Sequence, residues 1–278
     1  MQDKEIIEKF LQDMHLEGKA VGTLRVYANR IKQWYSFLMS CGIGLRAATH
    51  KDIHDYVNWL HEKKQKNSTI KNAMTTIYVF YTWGQKNDIM TNVPLSPVDY
   101  PTVRNERIRR LTDDELKQLI AYVDGLQENL RAAFWCMIGT GARVGEVAHL
   151  TATDVSLRGQ SVYIDIRDAK WGSDRCIPIT DQRAARIVWR FRQTVPIDSR
   201  PLFRVSKRTL QWYATQFSKK TGINFHCHLL RHTYAARLTE KGIPITTIQY
   251  LLGHKSIAMT AHYAQSALVD VRGITPKI

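Results

Sequence analysis

Apolar residues recur at spacings of three and four in four successive runs, and a cluster of prolines then ends the pattern. The runs are Ile6, Ile7, Phe10, Leu11 and Met14; Leu24, Tyr27, Ile31, Trp34 and Leu38; Ile53, Tyr56, Val57 and Leu60; and Ile70, Ala73, Ile77, Phe80 and Tyr81. Such spacing puts each run on one helical face, so residues 1–93 are predicted to form a four-helix bundle. Its aromatic members belong in the core, where large rings bury most surface, rather than on base-stacking platforms.

Pro94, Pro97 and Pro101 cannot continue a helix, and Arg104, Arg107, Arg109 and Arg110 follow them. Residues 94–110 therefore read as a basic linker, either a solvated tether or a stiffened strand lying along phosphates. Thr112 with Glu115 three residues later is a capping-box pattern that opens a larger helical domain, 111–278, through Leu116, Leu119 and Ile120. Val162, Ile164 and Ile166 alternate with Tyr163 and Asp165; after the turn signal Trp171-Gly172-Ser173-Asp174 the chain runs extended from Arg175 to Ile179. This predicts a β-hairpin or small sheet with Lys170 at its tip. Helices are predicted near 181–193, 206–220, 229–241 and 244–252, with a short one around Tyr263. The fold class is mainly α with a small β-element.

Forty Lys and Arg against 25 Asp and Glu leave a net charge of +15, a field that favours an extended polyanion as partner. A membrane surface could also attract such a chain, but apolar runs such as Ala132 to Ile138 fall far short of the ~20 residues a spanning helix needs. The acidic, amphipathic start from Met1 to Phe10 does not read as a secretory signal, which points to the cytoplasm. Cys41, Cys136, Cys176 and Cys227 are scattered without a CxxC pair, so reduced thiols are expected rather than disulfides or a thiolate zinc site.

Four stretches of the second half carry polar groups suited to chemistry. In Thr140-Gly141-Ala142-Arg143-Val144-Gly145-Glu146-Val147 a glycine turn launches a helix with an arginine at its start, for which an i, i+3 ion pair is the ordinary role. The second is the hairpin with Lys170, ordinarily a solvated turn lysine. In His228-Leu229-Leu230-Arg231-His232, helical spacing puts His228 on one face with Arg231 and with His232. That face could hold a metal together with Cys227, although it lacks the glutamate of an HExxH site; it could equally grip a phosphate, which the net charge favours. The fourth is Leu251-Leu252-Gly253-His254, followed nine residues after the histidine by Tyr263. A cap and a packing tyrosine are the bland readings there.

Taken in order, these stretches resemble the tyrosine recombinase (phage integrase) family, whose pattern is a TGxRxxE box, a hairpin lysine, an HxLRH box, and an LGH box with a tyrosine nine residues on. Arg143, Lys170, His228, Arg231, His254 and Tyr263 match it. Only Ala142 departs, standing where the family often has a larger apolar residue. The resemblance is nearest to compact Xer-type or transposon-resolvase-like members. With a helix starting almost at Met1, no amino-terminal arm-binding domain is expected.

The resemblance implies an amino-terminal core-binding domain and an α-rich catalytic domain closing around duplex DNA. It implies a site-specific DNA recombinase that works through a 3′-phosphotyrosyl intermediate and a Holliday junction. Tyr263 is then the nucleophile, Arg143 and Arg231 the phosphate clamp, Lys170 the general acid, His228 a proton-transfer group and His254 a phosphate hydrogen-bond donor. Glu146 and His232 support them, and no metal or nucleotide cofactor is needed. A homotetramer on two double-stranded recombination sites is implied, with room for a partner recombinase or accessory protein, and the tail beyond Tyr263 is expected to dock on a neighbouring protomer. Candidate DNA contacts are Arg25, Arg30, Arg104, Arg107, Arg109, Arg110, Lys207 and Arg208. Two other functions share parts of the pattern. A catalytically inactive DNA-binding relative has the same charge and fold, and a metal-dependent hydrolase could use Cys227, His228 and His232. The motifs do not encode the target sequence or the biological task.

Overall fold

A computed structural model describes residues 2–96, 100–103, 109–167, 173–254, 256–257 and 260–261. The chain divides into two compact units, Met1–Asn105 and Glu106–Ile278.

In the first unit the four apolar runs become α1 (Asp3–Leu16), α2 (Val21–Ser40), α3 (His50–Glu62) and α4 (Asn67–Lys86). Their faces meet in one aromatic core: Phe10 lies edge-on to Phe80 at 5.2 Å, and Trp34 edge-on to Tyr56 at 5.0 Å. Leu11, Leu24, Tyr27 and Val57 form its partly buried margin. Two of the buried polar tips are paired, as burial favours. Trp34 Nε1 donates to the Tyr81 hydroxyl, which in turn donates to the Leu45 carbonyl at 2.8 Å. Leu95 is buried in this core and Tyr100 packs against it, so part of the stretch read as a basic linker belongs to the first unit's packing.

The second unit contains α5 (Asp113–Asp124), α6 (Glu128–Thr140), α7 (Val144–His149), β1 (Val155–Arg158), β2 (Ser161–Ile166), β3 (Arg175–Ile179), α8 (Gln182–Gln193), α9 (Lys207–Thr221), α10 (Cys227–Glu240) and α11 (Ile245–Leu252). The Thr112 box caps α5 as expected, with Thr112 N–H donating to Glu115 and Glu115 N–H to Thr112 Oγ1. Helix α6 is buried on nearly every side. It packs so closely that a Cβ on Gly139 would sit 2.9 Å from both Ala184 Cβ and Ile179 Cγ2.

The strands form one antiparallel sheet in the order β1-β2-β3, with Ile164 opposite Ile177 and Ile166 opposite Arg175. Val162, Ile164 and Ile166 are buried, as are Arg175, Ile177 and Ile179, which follow the strand period of two. An arginine thus occupies the inward face at the start of β3. The first strand was not anticipated: Val155, Ser156, Leu157 and Arg158 alternate apolar with polar, but the run is only four residues long and its burial fades from Val155 to an exposed Leu157 and Arg158. Lys170, the region around Tyr263 and the tail lie outside the described residues. No helix among the described residues is long and apolar enough to cross a membrane.

Candidate active site

The site is assembled around two glycine-terminated helix ends. Helix α6 stops because Gly141 takes φ +63°, a left-handed conformation at which L side chains are strained. The space forbids a side chain too, since a Cβ there would lie 2.5 Å from Tyr234 Cδ1. The turn delivers Arg143 to the start of α7, where its N–H donates to Glu146 Oε2 at 2.7 Å and its Nη1 to Glu146 Oε1 at 2.8 Å. Helix α11 ends in the same way, with Gly253 at φ +62° and a Cβ position only 2.8 Å from Arg175 Nη1.

The last carbonyls of a helix have no intrahelical donor and carry the negative end of its dipole. At the end of α11, three consecutive carbonyls accept from three different arginines. Leu251 O accepts from Arg175 Nε at 2.8 Å, Leu252 O from Arg231 Nη2, and Gly253 O from Arg143 Nη2 at 3.3 Å. Arg231 also donates through Nη1 to Gly141 O at 3.2 Å, joining the two helix ends. Arg143 keeps 29% of its side chain exposed, whereas Arg231 and Arg175 are about 1% exposed.

Glu146 is the anion of this cluster. Both its oxygens accept from Arg175, at 2.8 and 3.2 Å, as well as from Arg143. Burial alone raises a carboxyl pKa, but the hydrogen bond and charge of Arg175 and the two bonds from Arg143 outweigh it and hold Glu146 below its ordinary value. The sequence reading paired Glu146 with Arg143 alone; its second partner, Arg175, was missed. The signal was present, since Arg175 alternates with Ile177 and Ile179 on a strand whose inward face is otherwise apolar.

The histidines gather against the same cations. His228 and His232 stack edge-on at 4.5 Å on α10, one turn apart. Burial, then the charges of Arg231, His226 and Arg143, lowers His228 to about 4. Burial and the neighbouring histidines, His228 first, take His232 to about 4. His254, held through Nδ1 to Thr260 Oγ1 at 2.9 Å, falls to about 3 through burial and the charges of Arg231 and Arg143. All three rings are therefore neutral near pH 7 in the DNA-free protein, each with one nitrogen able to donate and one able to accept.

Arg143, Glu146 and His228 open into a cleft of about 1140 Å³ whose far wall includes Lys207, Gln211 and Thr215 of α9. Arg143, His228, Arg231 and His254, four of the six matched positions, are thus brought together, while Lys170 and Tyr263 lie outside the described residues. Among the candidate DNA contacts, Lys207, Arg208 and Arg25 are exposed, and Arg30 is half-buried with Nη1 donating to Gln33. Arg109 pairs with Glu115 and donates to the Asn224 carbonyl, and Arg110 pairs with Glu240 at 2.6 Å. These two arginines fasten the incoming chain to the second unit. Arg104 and Arg107 lie outside the described residues. The Cys227 thiol is buried and pushed up to about 12; among the described residues no three His, Cys, Asp or Glu side chains are grouped to hold a metal ion.

Comparison with known proteins shows the family. The tyrosine recombinase XerA of Pyrococcus horikoshii is 25% identical over 97% of this chain and 92% of its own length. A lambda integrase dimer bound to a COC′ core site superposes with a TM-score of 0.73, at 22% identity, over 99% of this chain and 79% of that one. A lambda integrase tetramer bound to a Holliday junction gives a TM-score of 0.70, at 22% identity, over 91% and 77%. Residues 6–91 match the phage integrase N-terminal SAM-like domain. Since residues 109–268, which hold every one of the matched boxes, fit the phage integrase family itself, the chain belongs to that family, the tyrosine recombinases.

Proposed function

We propose that this tyrosine recombinase cuts and rejoins duplex DNA at a specific site through a covalent 3′-phosphotyrosyl intermediate at Tyr263. The observation that carries this reading is the convergence of Arg143 and Arg231 on the last turn of α11, beside neutral histidines and a cleft of about 1140 Å³. A phosphodiester needs its charge neutralised, a nucleophile in line and a proton for the leaving oxygen. Arg143 and Arg231 supply the first. Guanidinium forks match non-bridging oxygens, and losing one such donor costs roughly 10²–10³ in rate.

In the cutting step Tyr263 Oη forms a bond to phosphorus and the P–O5′ bond breaks. Tyrosine, with a free pKa of about 10, must lose its proton. Neutral His228 is suited to accept it. Lys170 gives a proton to O5′, and His254 donates a hydrogen bond to the phosphate. The phosphotyrosine conserves the bond energy, so a 5′ hydroxyl from another duplex reverses the step and reseals the strand without a nucleotide. Glu146 and His232 hold the arginines and His228 in place.

The lambda integrase tetramer on a Holliday junction supports a further reading: four copies of this chain bind two sites and exchange strands in pairs through that junction. Lys207 and Arg208 on α9 and Arg25 and Arg30 on α2 are proposed as DNA contacts.

The decisive experiment uses a nicked suicide substrate carrying a site recovered by binding selection. Wild type should give a covalent protein–DNA band that survives EDTA, and Tyr263→Phe should give none. Tight binding without any covalent product from wild type would replace this reading with that of an inactive DNA-binding relative.

A further inference from the structure

Arg175 has no place in the reaction described above, yet every nitrogen of its guanidinium is engaged. Its guanidinium is buried and donates to four acceptors from three segments. Nε reaches the Leu251 carbonyl on α11. Nη1 reaches Ser173 O, next to β3, and Glu146 Oε1. Nη2 completes a bidentate pair with Glu146 at 2.8 Å. Glu146 in turn grips the backbone and guanidinium of Arg143, whose remaining contact, Gly253 O, lies two residues beyond Leu251.

We infer that Arg175 is a positioning residue that aims Arg143 at the scissile phosphate, by holding Glu146 on one side and the end of α11 on the other. The inference rests on the reading of Arg143 as a phosphate clamp. Three features favour a positioning role over mere packing. The arginine sits on an inward strand face that Ile177 and Ile179 show to be otherwise apolar, so an aliphatic residue would satisfy packing alone. The bidentate geometry needs a planar fork, which lysine lacks. And Gly253 is kept bare of a side chain where Arg175 passes, so the close approach is built into both partners.

The test compares covalent-complex formation by Arg175→Lys, Arg175→Met and Arg143→Ala on two suicide substrates. One carries the ordinary scissile phosphodiester and the other a methylphosphonate, in which a methyl group replaces a non-bridging oxygen and removes the negative charge. Positions an ångström off can cost on the order of 100-fold in rate. Both Arg175 variants should therefore lose about 10- to 100-fold on the phosphodiester, with the lysine variant the less impaired and DNA affinity retained. On the uncharged substrate, which has no need of an aimed guanidinium, the deficit should shrink to within about threefold, as should that of Arg143→Ala. Should Arg175→Met fail to fold, Arg175→Lys carries the comparison. An equal deficit on both substrates, with Arg143→Ala rescued, makes Arg175 structural only and overturns the inference. No rescue of Arg143→Ala overturns it from beneath, by removing the clamp it was to aim.

Discussion

The two units bury different chemistry. In the first, the polar groups buried among the described residues are uncharged, those of Thr76 and of aromatic side chains such as Trp34 and Tyr81, and the core is otherwise rings and aliphatic chains. In the second, Arg175, Arg231, His254 and Asp154 are buried as well, with Glu146 nearly so. Apolar burial contributes directly to stability at about 25 cal/mol per Å². Buried charges cost desolvation that their partners at best offset. The contrast teaches that the first unit is organised for stability, and that the second gives some up to hold cations beside neutral histidines where chemistry can use them.

That contrast can be broken most forcefully from the first unit. Trp34→Ala should destabilise it by about 3–5 kcal/mol, the usual cost of emptying a large aromatic site, measured by denaturant titration. A loss below about 1 kcal/mol would mean the aromatic core is not what holds the bundle. Arg231→Met should do the reverse in the second unit. Covalent-complex formation falls roughly 10²–10³-fold, while the melting temperature falls by about 5–10 degrees, because loss of a desolvated cation offsets only part of the cost of leaving the Gly141 and Leu252 carbonyls unpaired. Unfolding of this variant at ordinary temperature would make Arg231 a structural keystone instead.

Gly141→Ala sharpens the comparison on a smaller scale. It forces a left-handed side chain onto Tyr234 and should cost about 1–3 kcal/mol, with a loss of activity because Gly141 O no longer meets Arg231 correctly. Protection from hydrogen exchange in α6 and α10 would report it.

The gentlest test is acid. His228, His232 and His254 titrate near 6.5 when unfolded but at about 4, 4 and 3 in the fold. Between those values the unfolded chain binds more protons, so stability rises with pH. Their contribution is complete above about 6.5 and is lost progressively as pH falls toward 3. Hydrogen exchange should show α10 losing protection over that window, and His228→Gln should flatten the slope; an unchanged slope would place the acid sensitivity elsewhere.

Most helices were legible because a helix declares itself locally. Trp34 and Leu38 are one turn apart whatever surrounds them, and Thr112 meets Glu115 without help from the rest of the chain. Strand β1 was not legible, since its alternation of Val155, Ser156, Leu157 and Arg158 spans only four residues and its second apolar residue, Leu157, is left exposed. Of the site, the matched boxes named Arg143, His228, Arg231 and His254, but Arg175 passed as an ordinary strand residue because its partners, Glu146 and Leu251, are 29 and 76 residues away.

The sequence by itself determined the helical faces, the net positive charge and the two glycines that end α6 and α11, because spacing, charge and backbone freedom are properties of the chain's own neighbours. Only the tertiary structure decided that three arginines from α7, β3 and α10 would converge on three consecutive carbonyls of one helix end. That arrangement depends on unsatisfied backbone dipoles meeting buried cations across up to 110 residues, and long-range packing alone brings them within hydrogen-bond reach.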